Sequence, residues 1–183
     1  MTILAIDPGN TQSAYMVFDG KPMSWDIVKN DDMLGLIAEY DVPIVVEMVA
    51  SYGMAVGAEV FETVYWIGRF VQHAEWRNLG HERLFRKDCK MHLCNSVKAK
   101  DSNIRQALID LYGGDSVAIG GKKCKTCKGK GSIGKAAKFC VSCNGNGWEQ
   151  SPGPLLGISA DCWAALAVAQ TWWDVKRLQA PLT

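Results

Sequence analysis

Residues 2–18, TILAIDPGNTQSAYMVF, decide the fold class. An apolar run at residues 3–6 stops at Asp7, a Pro-Gly-Asn-Thr segment follows, and a second apolar run occupies residues 14–18. Two strand-like runs joined by a short turn predict a β-hairpin. The first run is continuously apolar, which indicates a strand covered on both faces and places Asp7 near the centre of a sheet. Asp-Pro-Gly is also a common turn sequence, so a plain turn role for Asp7 stays open at this point.

The elements after this hairpin complete an α/β pattern. We predict a third strand at 21–28, a helix at 31–40, a buried strand at 44–46, a long helix at 58–78, a fifth strand near 84–85, short helices at 87–93 and 102–112, and a final helix at 159–178. A meander that feeds alternating strands and helices predicts an α/β fold with a mixed five-stranded sheet.

Three carboxylates occupy related places in this pattern. Asp7 and Glu47 each close an apolar strand, and Asp161 falls in the first turn of the predicted last helix. Taken alone, Glu47 is typical of a solvent-exposed residue at a strand end. Asp161 alone is typical of a carboxylate at the start of a helix, where the helix dipole stabilises negative charge. Together they predict one acidic cluster, and carboxylates forced close need a cation because they repel one another. Oxygen ligands favour Mg²⁺ or Mn²⁺, and a pair of such ions is the usual arrangement for phosphodiester cleavage.

Length and composition favour one domain with a small insert, since the chain has 183 residues of which 48% are hydrophobic. No apolar run approaches the roughly 20 residues of a membrane span. Strand-like sequence begins almost at once, so we expect no signal peptide, a cytoplasmic location and no membrane contact. The seven cysteines are then expected to be reduced, which favours metal ligation over disulfides.

Four of the cysteines have the spacing of a zinc site. Cys124-Lys-Thr-Cys127 and Cys140-Val-Ser-Cys143 are two C-x-x-C pairs, and each continues as C-x-x-C-x-G-x-G. Two such knuckles predict one structural Cys₄ zinc site, with glycines that permit the tight turns beneath the sulfurs. Free thiols in a disordered Gly/Lys loop are the alternative. We predict a zinc-binding insert at 121–150 within a domain formed by 1–120 and 151–183, and we interpret the remaining cysteines as small buried hydrophobes: Cys89, Cys94 and Cys162.

Several short motifs carry a family resemblance. IDPGNT around Asp7, VVE ending at Glu47 and SADCWAALAVA around Asp161 resemble the RuvC family of Holliday junction resolvases, within the RNase H-like superfamily. SYGMAVGAEVFETVYWIGRF and HLCNSVKAKDSNIRQALIDLYG resemble its phage and prophage branch. The insert resembles the zinc repeats of DnaJ-type chaperones, with two repeats instead of four, and the zinc ribbon of RNA-guided nucleases.

The resemblance implies a three-layer RNase H-like fold and a homodimeric, Mg²⁺-dependent endonuclease for branched DNA such as four-way junctions. Such an enzyme serves DNA recombination and repair in a bacterial or phage-infected cell. The resemblance further implies that Asp7 bridges two Mg²⁺ or Mn²⁺ ions, while Glu47 and Asp161 each complete one coordination shell.

The charge distribution fits a nucleic-acid partner. Net charge is +1, but residues 83–138 hold fourteen Lys or Arg against four acids, which predicts a polyanion contact; a solvated face is the alternative. The candidate DNA contacts are a loop aromatic and seven lysines: Tyr52, Lys98, Lys100, Lys122, Lys123, Lys125, Lys128 and Lys130. An apolar stripe on the helix at 58–78 is the candidate dimer interface, with Phe61, Val64 and Phe70.

One departure keeps other functions open. RuvC enzymes usually carry two aspartates three residues apart in the final motif, whereas Ile158 and Ala164 flank Asp161 here. Either three carboxylates suffice or a fourth ligand comes from elsewhere, and a weak or inactive zinc-containing DNA-binding module is the alternative. The Asp-Pro-Gly-Asn-Thr segment also resembles the phosphate loop of actin-like small-molecule kinases. A kinase, however, needs a second lobe for which the chain has no room.

Overall fold

The computed structural model describes residues 1–51, 53, 55–134 and 137–179. The chain divides into two compact units, Met1–Arg105 with Ile158–Thr183, and Gln106–Gly157. The predicted insert at 121–150 falls inside the second unit, and its boundaries as a separate domain stay a prediction. None of the helices in the described part of the chain combines the length and the apolarity that crossing a bilayer requires.

The first unit contains the predicted mixed sheet of five strands. They are β1 (Ile3–Asp7), β2 (Gln12–Phe18), β3 (Pro22–Lys29), β4 (Ile44–Met48) and β5 (His81–Phe85). The spatial order is β3-β2-β1-β4-β5. The first three strands form an antiparallel meander, β4 pairs parallel with β1, and β5 pairs parallel with β4. The carboxyl ends of β1, β4 and β5 therefore meet at one edge of the sheet.

The five predicted helices form with ends that lie within three residues of the prediction: α1 (Asn30–Tyr40), α2 (Ala58–Trp76), α3 (Arg86–Cys94), α4 (Asp101–Leu111) and α6 (Cys162–Gln179). The four-residue α5 (Asp115–Ala118), between α4 and α6, is not among the predicted helices. The prediction that Asp161 lies in the first turn of the last helix is wrong by one residue. Its backbone carbonyl accepts the N–H of Ala164 and of Ala165, so Asp161 immediately precedes the helix and begins its hydrogen-bond ladder.

Two helical layers cover opposite faces of the sheet. Leu4 and Ile6 of β1 pack with residues of α1 and α2 in the main hydrophobic cluster, together with Ile44 and Val46 of β4. The alternate strand residues face the other way, where α6 packs against β1, β2 and β4. This arrangement confirms the three-layer α/β fold. It also places the odd-numbered residues of β1 and β4 on the face of the sheet that α6 covers.

The position of α2 corrects the predicted apolar stripe. Its inward positions are Thr63, Ile67, Phe70 and Ala74, which follow helical spacing. Phe70 is fully buried in the main cluster, so it belongs to the core of the chain and not to an exposed interface. Phe61 is 65% exposed and Val64 is 39% exposed, and the exposed face of α2 also carries Tyr65 and Trp76.

The second unit is built around the four spaced cysteines. Strand β6 (Gly120–Lys123) pairs with β9 (Trp148–Pro152), and β7 (Ser132–Ile133) pairs with β8 (Lys138–Phe139). A short 3-10 turn spans Val141–Cys143. The four cysteines are buried and form a small cluster of their own.

Candidate active site and metal centre

Asp7 and Glu47 stand on neighbouring parallel strands. The β1–β4 register pairs Ile6 with Val46, and one further residue along both strands leads to Asp7 and Glu47. Neighbouring strands lie about 4.8 Å apart, and both residues continue the strand positions that face α6. The sequence prediction that the two acids share one sheet edge is therefore consistent with the register. Glu47 is only 7% exposed, which overturns the alternative of a solvent-exposed strand end.

A buried polar network fixes the loop that follows Asp7. The Ser13 hydroxyl donates to Asn30 Oδ1 at 2.6 Å, and the Asn30 amide donates to the Gly9 carbonyl at 3.0 Å. The Gly9 N–H donates to Ser13 Oγ at 3.2 Å. A side chain at Gly9 would clash with the Gln12 carbonyl, so the tight turn requires glycine. These contacts restrict the backbone immediately after Asp7.

Burial shapes the ionisation of both acids. Burial, followed by the neighbouring charge of Glu47, raises the pKa of Asp7 to about 8. Arg86 opposes this rise, while Asp161 and Asp101 add smaller increases to the same pKa. Burial also raises the pKa of Glu47, against the charge and the hydrogen bond of Arg86. The site therefore disfavours the ionised form of both acids, and its own arginine offsets that effect only in part.

Arg86 lies at the same sheet edge, because it directly follows β5. Its Nη1 donates to Glu47 Oε2 at 3.0 Å, and its Nη2 donates to Asp101 Oδ1 at 2.7 Å. Burial acts to lower the pKa of Arg86, but Glu47 and Asp101 raise this pKa by more than burial lowers it. The guanidinium therefore stays charged. One cation thus joins the end of β4 to the first residue of α4.

Asp161 reaches this region from the start of α6. It is exposed and lines a small cavity of about 60 Å³ with Arg86, Asp101, Ala164 and three other residues, Ile104, Ala160 and Trp163. Its charge contributes to the raised pKa of Asp7. The three predicted acids are thus electrostatically coupled within one unit of the chain.

The acids are coupled but not gathered to ligand distance. Among the His, Cys, Asp and Glu residues that the structure describes, the only set of three or more whose ligand atoms lie within 4.8 Å of one another is the cysteine set. Arg86 engages Glu47 instead. The donors nevertheless suit a divalent ion, since they are carboxylate oxygens whose ionisation is opposed by burial and, for Asp7, by the neighbouring acids. Divalent ions would favour the ionised carboxylates.

The four cysteines of the second unit do converge. The sulfurs of Cys124 and Cys140 lie 3.9 Å apart, and those of Cys127 and Cys143 lie 3.7 Å apart. Both distances exclude a disulfide, whose sulfurs lie about 2.05 Å apart. A tetrahedral zinc site with Zn–S bonds of about 2.3 Å has sulfurs about 3.8 Å apart. The cluster therefore has the dimensions of a Cys₄ zinc site, as the spacing of the pairs predicts.

The two knuckles are related by the sixteen-residue repeat. The Gly131 and Gly147 N–H groups donate to Cys127 and Cys143 sulfurs, each at 3.3 Å. Although burial raises the pKa of the Cys127 thiol, hydrogen bonds from the Gly131 N–H, from Cys143 and from other neighbours together bring it down to about 7, which favours the ligating thiolate. The backbone N–H of Cys124 in turn donates to the Gly147 carbonyl, and that of Cys140 to the Gly131 carbonyl.

The candidate DNA-binding residues are distributed over both units. Lys98 and Lys100 are exposed in the first unit just before α4, and the insert lysines are exposed in the second: Lys122, Lys123, Lys125, Lys128 and Lys130. Tyr52 lies outside the described residues. Of the other cysteines, Cys89 and Cys162 are buried as expected, and Cys94 is half-buried.

Sequence reasoning missed Arg86 and Asp101. A signal for Arg86 was present, because it directly follows the fifth strand just as Asp7 closes the first. Asp101 begins α4 and carries no comparable signal, since first-turn acids are common in helices. Their pairing joins segments far apart in the sequence, which no local pattern reveals.

Comparison with known proteins supports the fold. No family model and no curated protein sequence matches the chain. Among solved structures, the chain is similar to Thermus thermophilus RuvC, with a TM-score of 0.60, 14% identity, and coverage of 98% of this chain and 97% of that one. It is also similar to T. thermophilus RuvC in complex with a Holliday junction substrate, with a TM-score of 0.61, 14% identity, and coverage of 98% and 96%. The chain therefore has a RuvC-like fold of the RNase H-like type.

Proposed function

We propose that this protein is a divalent-metal-dependent endonuclease that cleaves Holliday junctions or other branched DNA by two-metal phosphodiester hydrolysis. The observation that supports this best is the coupling of Asp7, Glu47 and Asp161 at one edge of a RuvC-like sheet, where burial and mutual repulsion raise the pKa of Asp7 to about 8. The similar T. thermophilus protein is described in complex with a Holliday junction. We further propose membership of the phage and prophage branch and a cytoplasmic location.

In this proposal Asp7, Glu47 and Asp161 would hold two Mg²⁺ or Mn²⁺ ions. Asp7 would be shared by both ions, and Glu47 and Asp161 would each complete the site of one of them. Such ions, when bound, neutralise the carboxylates and stabilise the charge that develops on the phosphodiester during hydrolysis. The network of Ser13, Asn30 and the Gly9 backbone holds the Asp7 turn in place.

We also propose that residues 121–150 form an insert folded around one zinc ion, bound by Cys124, Cys127, Cys140 and Cys143. The exposed lysines of the insert, with Lys98 and Lys100 of the first unit, would contact DNA phosphates. Tyr52, in the loop after Glu47, would pack into an opened junction. Zinc supplies folding free energy here and takes no part in the hydrolysis.

We propose that the protein acts as a homodimer, because paired incision of a four-way junction needs two sites related by a two-fold axis. The exposed face of α2, with Phe61 and Val64, is the proposed interface. Sedimentation of the wild-type protein at micromolar concentration is expected to give the mass of two chains. The double variant Phe61→Glu with Val64→Glu is expected to give the mass of one chain. Met23→Glu, at an exposed apolar residue of β3, is the matched control and should remain dimeric. A wild-type monomer would contradict the proposed dimer.

One observation favours an inactive DNA-binding module as a second candidate. The acids are not at metal-ligand spacing, and α6 lacks a second carboxylate near Asp161. In this case the zinc-containing insert would be the functional part of the protein.

A cleavage assay distinguishes the two candidates. Purified protein is incubated with a four-way junction, or with a linear duplex of the same sequence, in Mg²⁺ or in EDTA. The endonuclease proposal predicts paired cuts near the branch point in Mg²⁺ only, with the linear duplex intact. Binding without cleavage would support the inactive module, and equal cutting of both substrates would contradict specificity for branches.

A further inference from the structure

A single guanidinium joins two carboxylates inside the proposed site. Arg86 contacts Glu47 at 3.0 Å and Asp101 at 2.7 Å through different nitrogens. The Glu47 side chain is 9% exposed and that of Arg86 is 27% exposed, so this cation lies within the site and not on its surface. The site thus holds a positive charge of its own, which Glu47 and Asp101 share.

The charges of the site draw attention to Asp101. When metal ions are bound and the carboxyl groups are ionised, Asp7, Glu47 and Asp161 supply three negative charges, and Arg86 cancels one of them. The three acids and Arg86 together carry a net charge of minus two, which offsets poorly the four positive charges of two divalent ions. Adding Asp101 makes the net charge minus three. Asp101 is bonded to Arg86, the arginine whose charge cancels one of the three acids.

Asp101 is also placed where a carboxylate is missing from α6. Ala164, one helical turn after Asp161, lines the same small cavity as Asp161 and Asp101. The methyl group of Ala164 offers no ligand there, whereas Asp101 lies on the cavity wall. The charge of Asp101 reaches the other acids, since it contributes to the raised pKa values of both Asp7 and Glu47.

We propose that Asp101 is a fourth acidic residue of this site and that its carboxylate binds the second divalent ion together with Asp161. The inference rests on the proposed function, because it concerns the same metal site. A carboxylate has two oxygens, so Asp101 can keep Arg86 on one oxygen and offer the other to the ion. Arg86 then positions Asp101 and remains bonded to it after the metal binds.

The test measures metal binding without DNA. Mn²⁺ is titrated into zinc-loaded full-length protein by calorimetry, with free Mn²⁺ followed by electron paramagnetic resonance. Wild type is expected to bind two Mn²⁺ ions, and Asp101→Asn to lose the second or bind it about tenfold more weakly or worse. Asp101→Glu, which keeps the carboxylate, is expected to restore part of that affinity.

Asp31→Asn is a closely matched control. Asp31 also lies in the first turn of a helix, also contacts an arginine, Arg69, and is 79% exposed, as is Asp101. Mn²⁺ binding by this variant should equal that of wild type. An Asp101→Asn protein with wild-type Mn²⁺ binding would overturn the inference while leaving the proposed function intact. If wild type bound no Mn²⁺, or if Asp7→Asn did not affect binding, the proposed function would fail as well.

A double variant separates ligation from an indirect effect. In an Arg86→Gln background, a ligating Asp101 still matters, so Asp101→Asn should again weaken the second ion about tenfold. If the effect of Asp101→Asn disappears in that background, Asp101 acts only by anchoring Arg86, and the proposed ligation is wrong. Thermal unfolding in EDTA checks that each variant is folded before titration.

Discussion

Asp7→Asn is expected to reduce Mg²⁺-dependent junction cleavage by about a thousandfold or more, while junction binding in EDTA persists. The amide keeps the size of the carboxyl group but loses the negative charge that is needed to hold two ions. The metal site lowers the activation free energy by several kcal/mol. Each tenfold change in rate corresponds to about 1.4 kcal/mol of activation free energy. Binding depends on lysines and on the dimer, which the substitution leaves unchanged. Cleavage and binding are measured on the same four-way junction.

The metal-free Asp7→Asn variant should fold as wild type does. The pKa of Asp7 is about 8, so its carboxyl group is largely uncharged at pH 7, and an amide is a close substitute. Asp19→Asn is the control, because Asp19 directly follows β2 at the opposite edge of the sheet and its side chain contacts only the N-terminus in the described hydrogen bonds. A mutant that cuts at the wild-type rate would return Asp7 to the role of a turn residue.

Cys124→Ser with Cys127→Ser is expected to remove one zinc ion per chain and to unfold the insert. Outside its cysteines the insert has few apolar side chains, and Ile133, Phe139 and Val141 are all exposed. Such a segment cannot offset its chain entropy without metal, and zinc binding supplies folding free energy on the order of 10 kcal/mol. Elemental analysis and loss of amide protection in the insert are the measurements.

DNA binding should weaken in the same zinc variant before chemistry does. Junction affinity should fall and its dependence on salt should become shallower, because fewer lysines contact phosphates. Mg²⁺-dependent cleavage at saturating protein should largely persist. Cys94→Ser, at a half-buried cysteine outside the cluster, is the control and should retain zinc and affinity. Native protein without zinc would refute the module, whereas unchanged affinity in the double variant would refute only its role in holding DNA.

The parts that sequence could predict are those that local patterns determine. The apolar runs before Asp7 and Glu47 identify two buried strands, and their parallel pairing follows from the helix between them. The cysteine spacing predicts the cluster of four sulfurs because each knuckle is a local turn that places two sulfurs together. The lysines of the insert are exposed for the same local reason, since a segment poor in apolar residues has nowhere to bury them.

The remaining features depend on long-range packing. The rotation of α2 about its axis decides that Phe70 enters the core while Phe61 faces outward, and both positions are apolar in the sequence. The contacts of Arg86 with Glu47 and Asp101 span 39 and 15 residues, so they exist only after β4, β5 and α4 are assembled. Such contacts have no periodicity or spacing by which they could be recognised.

The packing of α6 against β1 joins the two ends of the described chain across the sheet. Asp7 lies on the first strand, while Asp161 precedes the last helix, so the proposed site has its full set of acids only when α6 has docked. A chain still emerging from the ribosome would therefore hold a hairpin and a parallel strand pair with Ile3 and Met16 uncovered. It could not cut DNA until α6 had been synthesised and had docked on the sheet, because Asp161 comes after the other two acids and after the insert in the sequence.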